Sequence, residues 1–363
     1  MQAKQRFAAV DLLRILAAVA VVVFHHLYYY PNHAAGFARE VQAGASYGYL
    51  GVQIFFMISG YVITQSAMGR TRGQFAFARF VRLWPAFVIC LAITVVARQI
   101  AGSAPGAWVI LGNLTMMPRL FGVPYVDDVY WSLMYEIFFY VGVTILLVGS
   151  GDFVLRLRIF TAVWLGLALL GLVVELPKLH TLLALKFAPY FAVGISVFLV
   201  RNAGNAVVDG ALLAASLVLA VVFAALQAPD VGDAVFATAP STDADRFPNR
   251  VRPNAWLCGA IVMAGAGALY ASTILKTGPR LSRMALALGG ISYPLYLLHD
   301  SFGSVLIEAA PPGRIPLSIV LAMGAVAALC YGVWRIEVPA RRHLMRTGMP
   351  SRLERGITAQ PPG

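Results

Sequence analysis

Charge is what this sequence has least of. Aspartate, glutamate, lysine and arginine together make up 12% of its 363 residues, against roughly 25% in a typical water-soluble domain. A chain so poor in charge cannot cover a globule with a solvated face, so a soluble fold is excluded. Cysteine is scarce as well. Cys90, Cys258 and Cys330 all fall inside apolar stretches, with no metal-ligand spacing and no disulfide framework; they read as small core residues, and no metal site is expected. Internal repeats and low-complexity tracts are missing. Only one long polar stretch interrupts the chain, 229–254, with four aspartates and several prolines.

Hydrophobic blocks of about 20 residues, the length that crosses a bilayer as a helix, fill the rest. The expected spans are 8–30, 47–67, 84–100, 131–149, 159–176, 182–200, 208–228, 255–276, 285–310 and 315–335. They define an all-α polytopic membrane protein, a bundle of about ten transmembrane helices. The first block follows Lys4 and Arg6 as a signal peptide's would, but it is too long and contains Arg14, so it reads as a retained helix. Segment 101–122 is apolar but broken by Pro105 and Pro118, and is expected to be re-entrant or interfacial. Residues 1–345 form one transmembrane domain; 346–363 form a basic tail expected to be disordered.

The net charge of +12 does not point to nucleic acid. Arginines cluster at 70–82, 156–158 and 335–355, as the positive-inside rule requires if both termini are cytoplasmic. The expected partner of this surface is the lipid bilayer of a bacterial cytoplasmic (inner) membrane.

A few polar residues lie inside the apolar blocks. Arg14 is costly there, by roughly 2.5–3.5 kcal/mol on insertion scales, unless it snorkels to the cytoplasmic face; Asp11, three residues earlier, can pair with it. His25 follows Arg14 by eleven residues, which on a regular helix puts both on one face about 16 Å apart. His26 points some 100° away. Ser132, Glu136 and Tyr140 recur every four residues after Trp131 and make one polar stripe. Glu136 is a candidate for chemistry or for a structural hydrogen bond. Arg79 and Arg82, with aromatic neighbours in the loop before the third span, suit a ligand bearing phosphates and adenine, or else anchor topology.

Taken in order, these segments resemble a known family. Asp11-Leu-Leu-Arg14 with His25, the Gly51–Tyr61 block with Ser59 and Gly60, Arg79-Phe-Val-Arg82-Leu-Trp-Pro85, Trp131-Ser132-Leu-Met-Tyr-Glu136-Ile-Phe-Phe-Tyr140, Ser292-Tyr293-Pro-Leu-Tyr296-Leu-Leu-His299 and Glu337-Val-Pro339 are similar to the motifs of the acyltransferase 3 family. The sequence departs from the family pattern at Gln53, where Asp is common, and at Asp300-Ser301, where a proline is common. The resemblance implies ten helices with cytoplasmic ends and the stand-alone form without a fused esterase-like domain. It further implies an acyl-CoA co-substrate, acetyl-CoA first among these, with no tightly bound cofactor, and a hydroxyl acceptor on a carbohydrate such as an envelope or exported polysaccharide.

On that basis His25 is the expected general base and Glu136 its orienter or the acceptor's anchor. Arg14, Arg79 and Arg82 are expected to hold the donor's phosphates, and Asp11, Ser59, Trp131, Ser132, Tyr140, Tyr293 and His299 to support the site. The competing reading is a secondary transporter or flippase in which Arg, His and Glu form an intramembrane relay. Such proteins commonly show inverted repeats and paired broken helices, and the sequence shows neither.

Overall fold

A computed structural model describes residues 8–34, 37–149, 151–174, 177–238, 252–309 and 314–347. Described secondary structure is entirely helical. Ten helices organise the bundle: α1 (Ala8–Phe24), α2 (Leu50–Ala67), α3 (Arg72–Ile100), α4 (Trp131–Leu146), α5 (Phe153–Leu170), α6 (Ala188–Asn202), α7 (Ala206–Thr238), α8 (Ala255–Ser272), α9 (Pro279–Leu298) and α10 (Ile315–Thr347). With their flanking turns, nine of the described helices are long and apolar enough to cross a membrane; α6 is apolar but shorter. The protein is an all-α polytopic membrane protein.

Helix ends differ from expectation where polar signals were overread. The third span, expected over 84–100, begins twelve residues earlier, at a capping box formed by Thr71 and Gln74. The box satisfies two end groups reciprocally, and Pro85 is carried inside the helix. Arg79 and Arg82 therefore sit on a rigid helix rather than in a loop. Pro229 lies inside α7, which runs on to Thr238, so the first ten residues of the expected polar loop are helical; 239–251 lie outside the described residues. α10 continues to Thr347, so Glu337 and Arg341 are helical. The tail beyond 347 lies outside the described residues. Segment 101–122 holds only the short helices Ala107–Asn113 and Pro118–Phe121; seven residues rise about 10 Å, too little to cross.

Packing centres on α6, whose residues Ala188 to Leu199 are all buried. It lies against α2, α7, α5 and α8, and α9 lies against α1. The α2–α6 crossing is close because Gly60 and Gly194 face one another. A Cβ on Gly60 would meet the Phe191 carbonyl oxygen, and one on Gly194 the Met57 carbonyl oxygen. Without a hydrophobic drive between helices in lipid, such small-residue contacts supply the packing.

Two irregularities shape the site. Helix α1 ends in a wide turn, His25–Tyr29, in which the Tyr30 N–H donates to the His25 carbonyl five residues back at 3.0 Å. Such π-turns re-aim side chains and recur at functional sites. The ninth span, expected as one helix over 285–310, is broken at His299–Asp300 between α9 and the short helix Ser301–Glu308.

Candidate active site

A partly open cavity is lined by Arg14 from α1, Ser59 from α2, Arg79 and Arg82 from α3, Ser132, Glu136 and Tyr140 from α4, and Ser292, Tyr293 and Tyr296 from α9. Seven of the residues singled out from sequence thus converge from four helices: Arg14, Ser59, Arg79, Arg82, Ser132, Glu136 and Tyr140, with Tyr293 beside them from a fifth. Aromatic and aliphatic side chains, among them Phe55, Phe56 and Leu83, complete the wall.

The arginines are held by acidic partners without being exhausted by them. Asp11 pairs with Arg14 at 3.5 Å, and Glu337 with Arg82 at 3.6 Å and with Arg341 at 3.1 Å. Glu337 is 2% exposed and could not remain there as an unpaired charge. Arg79 donates to Ser66 Oγ at 3.0 Å and lies over the Phe75 ring, while its buried Nε has no hydrogen-bond partner. A buried donor left unmade costs about 1–3 kcal/mol, so this fork is set for an incoming acceptor. Glu136 accepts from Tyr140 Oη at 2.6 Å and from Ser59 Oγ at 3.0 Å.

The histidines form a second group. His299 Nδ1 lies 2.9 Å and 3.2 Å from the carbonyl oxygens of Tyr296 and Leu295. Carbonyls only accept, so Nδ1 carries the proton and Nε2 of the neutral ring accepts. Its donor is His25 Nδ1 at 3.1 Å, which also donates to the Val21 carbonyl at 3.0 Å. By the same logic the neutral His25 ring keeps a free lone pair on Nε2. His26, fully buried, donates from Nε2 to the His299 carbonyl at 2.9 Å and accepts at Nδ1 from His33 Nδ1 at 3.3 Å.

His25 itself does not line the cavity. Tyr296 does, with its ring centroid 5.8 Å from that of His299, which is 5.0 Å from that of His25. The Tyr296 hydroxyl is held by Ser132 Oγ at 2.7 Å and by the Val129 carbonyl at 3.0 Å. Tyr296 and His299 thus link the arginine-lined space to His25. Glu136 bonds to Ser59 and Tyr140 rather than to His25, whose ring is oriented by His299 instead. Trp131 packs among Phe56, Tyr135 and Phe187, outside both groups.

Three residues beside the histidines were not among the expected site residues: the half-buried Tyr30 and the buried Asp127 and Asp300. Tyr30 Oη donates to Asp300 Oδ1 at 2.5 Å, and Asp127 and Asp300 are 1% and 2% exposed. The usable signal was the acidic residue directly after His299 inside an apolar span.

The fold and the site define a class, the all-helical polytopic membrane proteins, here with a basic cavity beside a histidine pair. The sequence model of the acyltransferase 3 family, described as an acyltransferase domain, matches residues 7–335, and the chain belongs to this family. It is 27% identical over 188 residues to the peptidoglycan O-acetyltransferase OatA of Listeria monocytogenes serovar 1/2a. That similarity takes in 46% of this chain and 28% of the relative, so it spans little more than a quarter of the relative's length. No solved structure matches.

Proposed function

We propose that this protein is an integral membrane O-acyltransferase that moves an acyl group, acetyl first, from cytoplasmic acyl-CoA to a carbohydrate hydroxyl. The observation that carries the reading is the cavity in which Arg14, Arg79 and Arg82 converge, with an unpaired guanidinium N–H on Arg79. Coenzyme A is a multiply charged phosphate ligand, and guanidinium forks bind phosphate in a two-pronged way. Family membership supports the transfer, and the relative's name puts peptidoglycan among the acceptors to be tried.

In the reaction, His25 Nε2 takes the proton of the acceptor hydroxyl as its oxygen attacks the thioester carbonyl. The C–O bond forms, the C–S bond breaks, and the thiolate leaves with the proton returned from the imidazolium. A thiolate is a far better leaving group than an alkoxide because the thiol is much more acidic. His25 lies roughly 16 Å along the helix from Arg14, so the pantetheine arm must pass Tyr296 to bring its carbonyl to the base. With both termini cytoplasmic, Arg79 and Arg82 face the compartment where acyl-CoA is made.

The test is reconstitution in vesicles with radiolabelled acetyl-CoA and candidate glycans, peptidoglycan fragments and exported polysaccharides among them. Label is expected in an alkali-labile ester on the glycan. Movement of unmodified glycan across the vesicle membrane, with no ester formed, would support the transporter reading instead.

A further inference from the structure

The acidic residues beside the histidines are unaccounted for by donor binding or by the base itself. Asp127, just before the short helix that leads into α4, accepts from the Val129 N–H at 3.2 Å and from the Ser301 N–H at 3.0 Å. Its carboxyl is hydrogen-bonded to that of Asp300. Two buried carboxyls in contact do not both ionise; they hold one proton. Burial first, and then the neighbouring Asp300 charge, push Asp127 well above the usual carboxylate range, so the proton belongs to Asp127.

Asp300 is left as a buried anion that accepts from Tyr30 and from Asp127. It has no lysine or arginine partner among the described residues. The cations it can face are the imidazoles of His25 and His299; it directly follows His299, and the Tyr30 ring that binds it lies 6.3 Å from that of His25. The other groups around this point carry no competing positive charge. His26 and His33 are bonded to one another as neutral rings, and the phenols of Tyr29, Tyr130 and Tyr296 are partly or fully buried. Asp128 is exposed at the rim.

We propose that Asp300 is a positioning residue that acts as counter-charge to the base: Asp127 and Asp300 share one proton, and the charge remaining on Asp300 stabilises the imidazolium formed when His25 takes the acceptor's proton. This rests on the reading of His25 as the general base. Asp127 has the companion task of keeping Asp300 charged, since it offers a neutral donor in place of bulk water.

The test reads the charge state of His25 without needing turnover. Diethyl pyrocarbonate acylates neutral imidazole, so the pH dependence of its rate on the His25 peptide, followed by mass spectrometry, gives a titration midpoint. Asp300→Asn is expected to lower that midpoint by about one pH unit, and to lower kcat ten- to hundredfold with the acid limb of the pH–rate profile displaced the same way. Asp300→Glu keeps the charge and is expected to restore the midpoint. Asp127→Leu, which removes the donor to Asp300, is expected to shift the midpoint downward, and Asp127→Asn to bring it back. An unchanged midpoint in monodisperse Asp300→Asn overturns the inference. Should that variant fail to fold, an unchanged midpoint in Asp127→Leu overturns it in the same way. A parent that labels at His25 with the expected shifts but transfers no acyl group to any glycan would count against the proposed function and leave the counter-charge standing.

Discussion

His26 shows how an imidazole can serve structure while its neighbour serves chemistry. Both of its ring nitrogens are engaged, one with the His299 carbonyl and one with His33, whereas His25 keeps one nitrogen free. His26→Ala is therefore expected to destabilise the protein by about 1–3 kcal/mol through the groups it leaves unpaired, visible as a lowered melting temperature in detergent. His25→Ala, which leaves the His299 Nε2 acceptor without its donor, is expected to lower melting less than His26→Ala does and to abolish transfer; equal melting losses for the two would contradict this division. The arginines divide in a related way. Arg82 is already paired with Glu337, while Arg79 has a donor to spare, so Arg79→Lys keeps the charge but loses the fork. Its KM for acyl-CoA is expected to rise roughly ten- to hundredfold, the scale of one hydrogen bond to a charged group, with acceptor KM little changed. A donor KM equal to the parent's would make Arg79 an anchor of topology only. Spacing exposed Arg14, Ser132, Glu136 and Tyr140 because an apolar helix makes any polar residue conspicuous. It did not expose Asp127 or Tyr30, which sit in irregular segments where no period applies, nor the bond between His25 and His299, 274 positions apart in sequence.

At the level of single helices, the sequence was read well where hydrophobic length decides and poorly at the ends of helices that carry a proline. All ten expected spans have a helix in the structure. Pro85 and Pro229 nonetheless lie inside helices, because neighbouring helices in a membrane can hold a backbone that proline would break in water. The π-turn after Phe24 could not be foreseen from a regular 100° advance. The tightest demand on any element falls at the α2–α6 crossing. A methyl at position 194 would lie 2.0 Å from the Met57 carbonyl oxygen, a backbone atom that cannot swing aside. Gly194→Ala is thus expected to force the two helices apart and to cost most of the folded yield on size-exclusion chromatography. Gly166→Ala, on α5 with nothing within 4 Å, is expected to be tolerated, and a helix-interior Gly→Ala can even stabilise by about 0.5–1 kcal/mol. Comparable yields from the two variants would show that the crossing can relax.

For the molecule as a whole, charge placement predicts the orientation, and helix α3 supplies the ruler for testing it. Its 29 residues rise about 43 Å, so Met68 and Ser103, flanking its two ends and both exposed, should lie on opposite sides of the bilayer. The three native cysteines are buried and give little background. Ser103→Cys is expected to react with a membrane-impermeant maleimide in intact cells, and Met68→Cys only after permeabilisation. The reverse pattern would place the arginine-lined cavity away from cytoplasmic acyl-CoA. Helix α6 has a different relation to the bilayer. Its 15 residues rise about 22 Å, against roughly 30 Å of hydrocarbon, and almost none of its side chains reach lipid. It is therefore a helix that lipid does not select. During synthesis it must wait until α7 has left the ribosome before it has a complete binding place against α2, and a chain released between the two would present an orphaned segment to the cell's membrane proteases. The centre of the bundle is in this sense assembled last, by docking among helices already inserted.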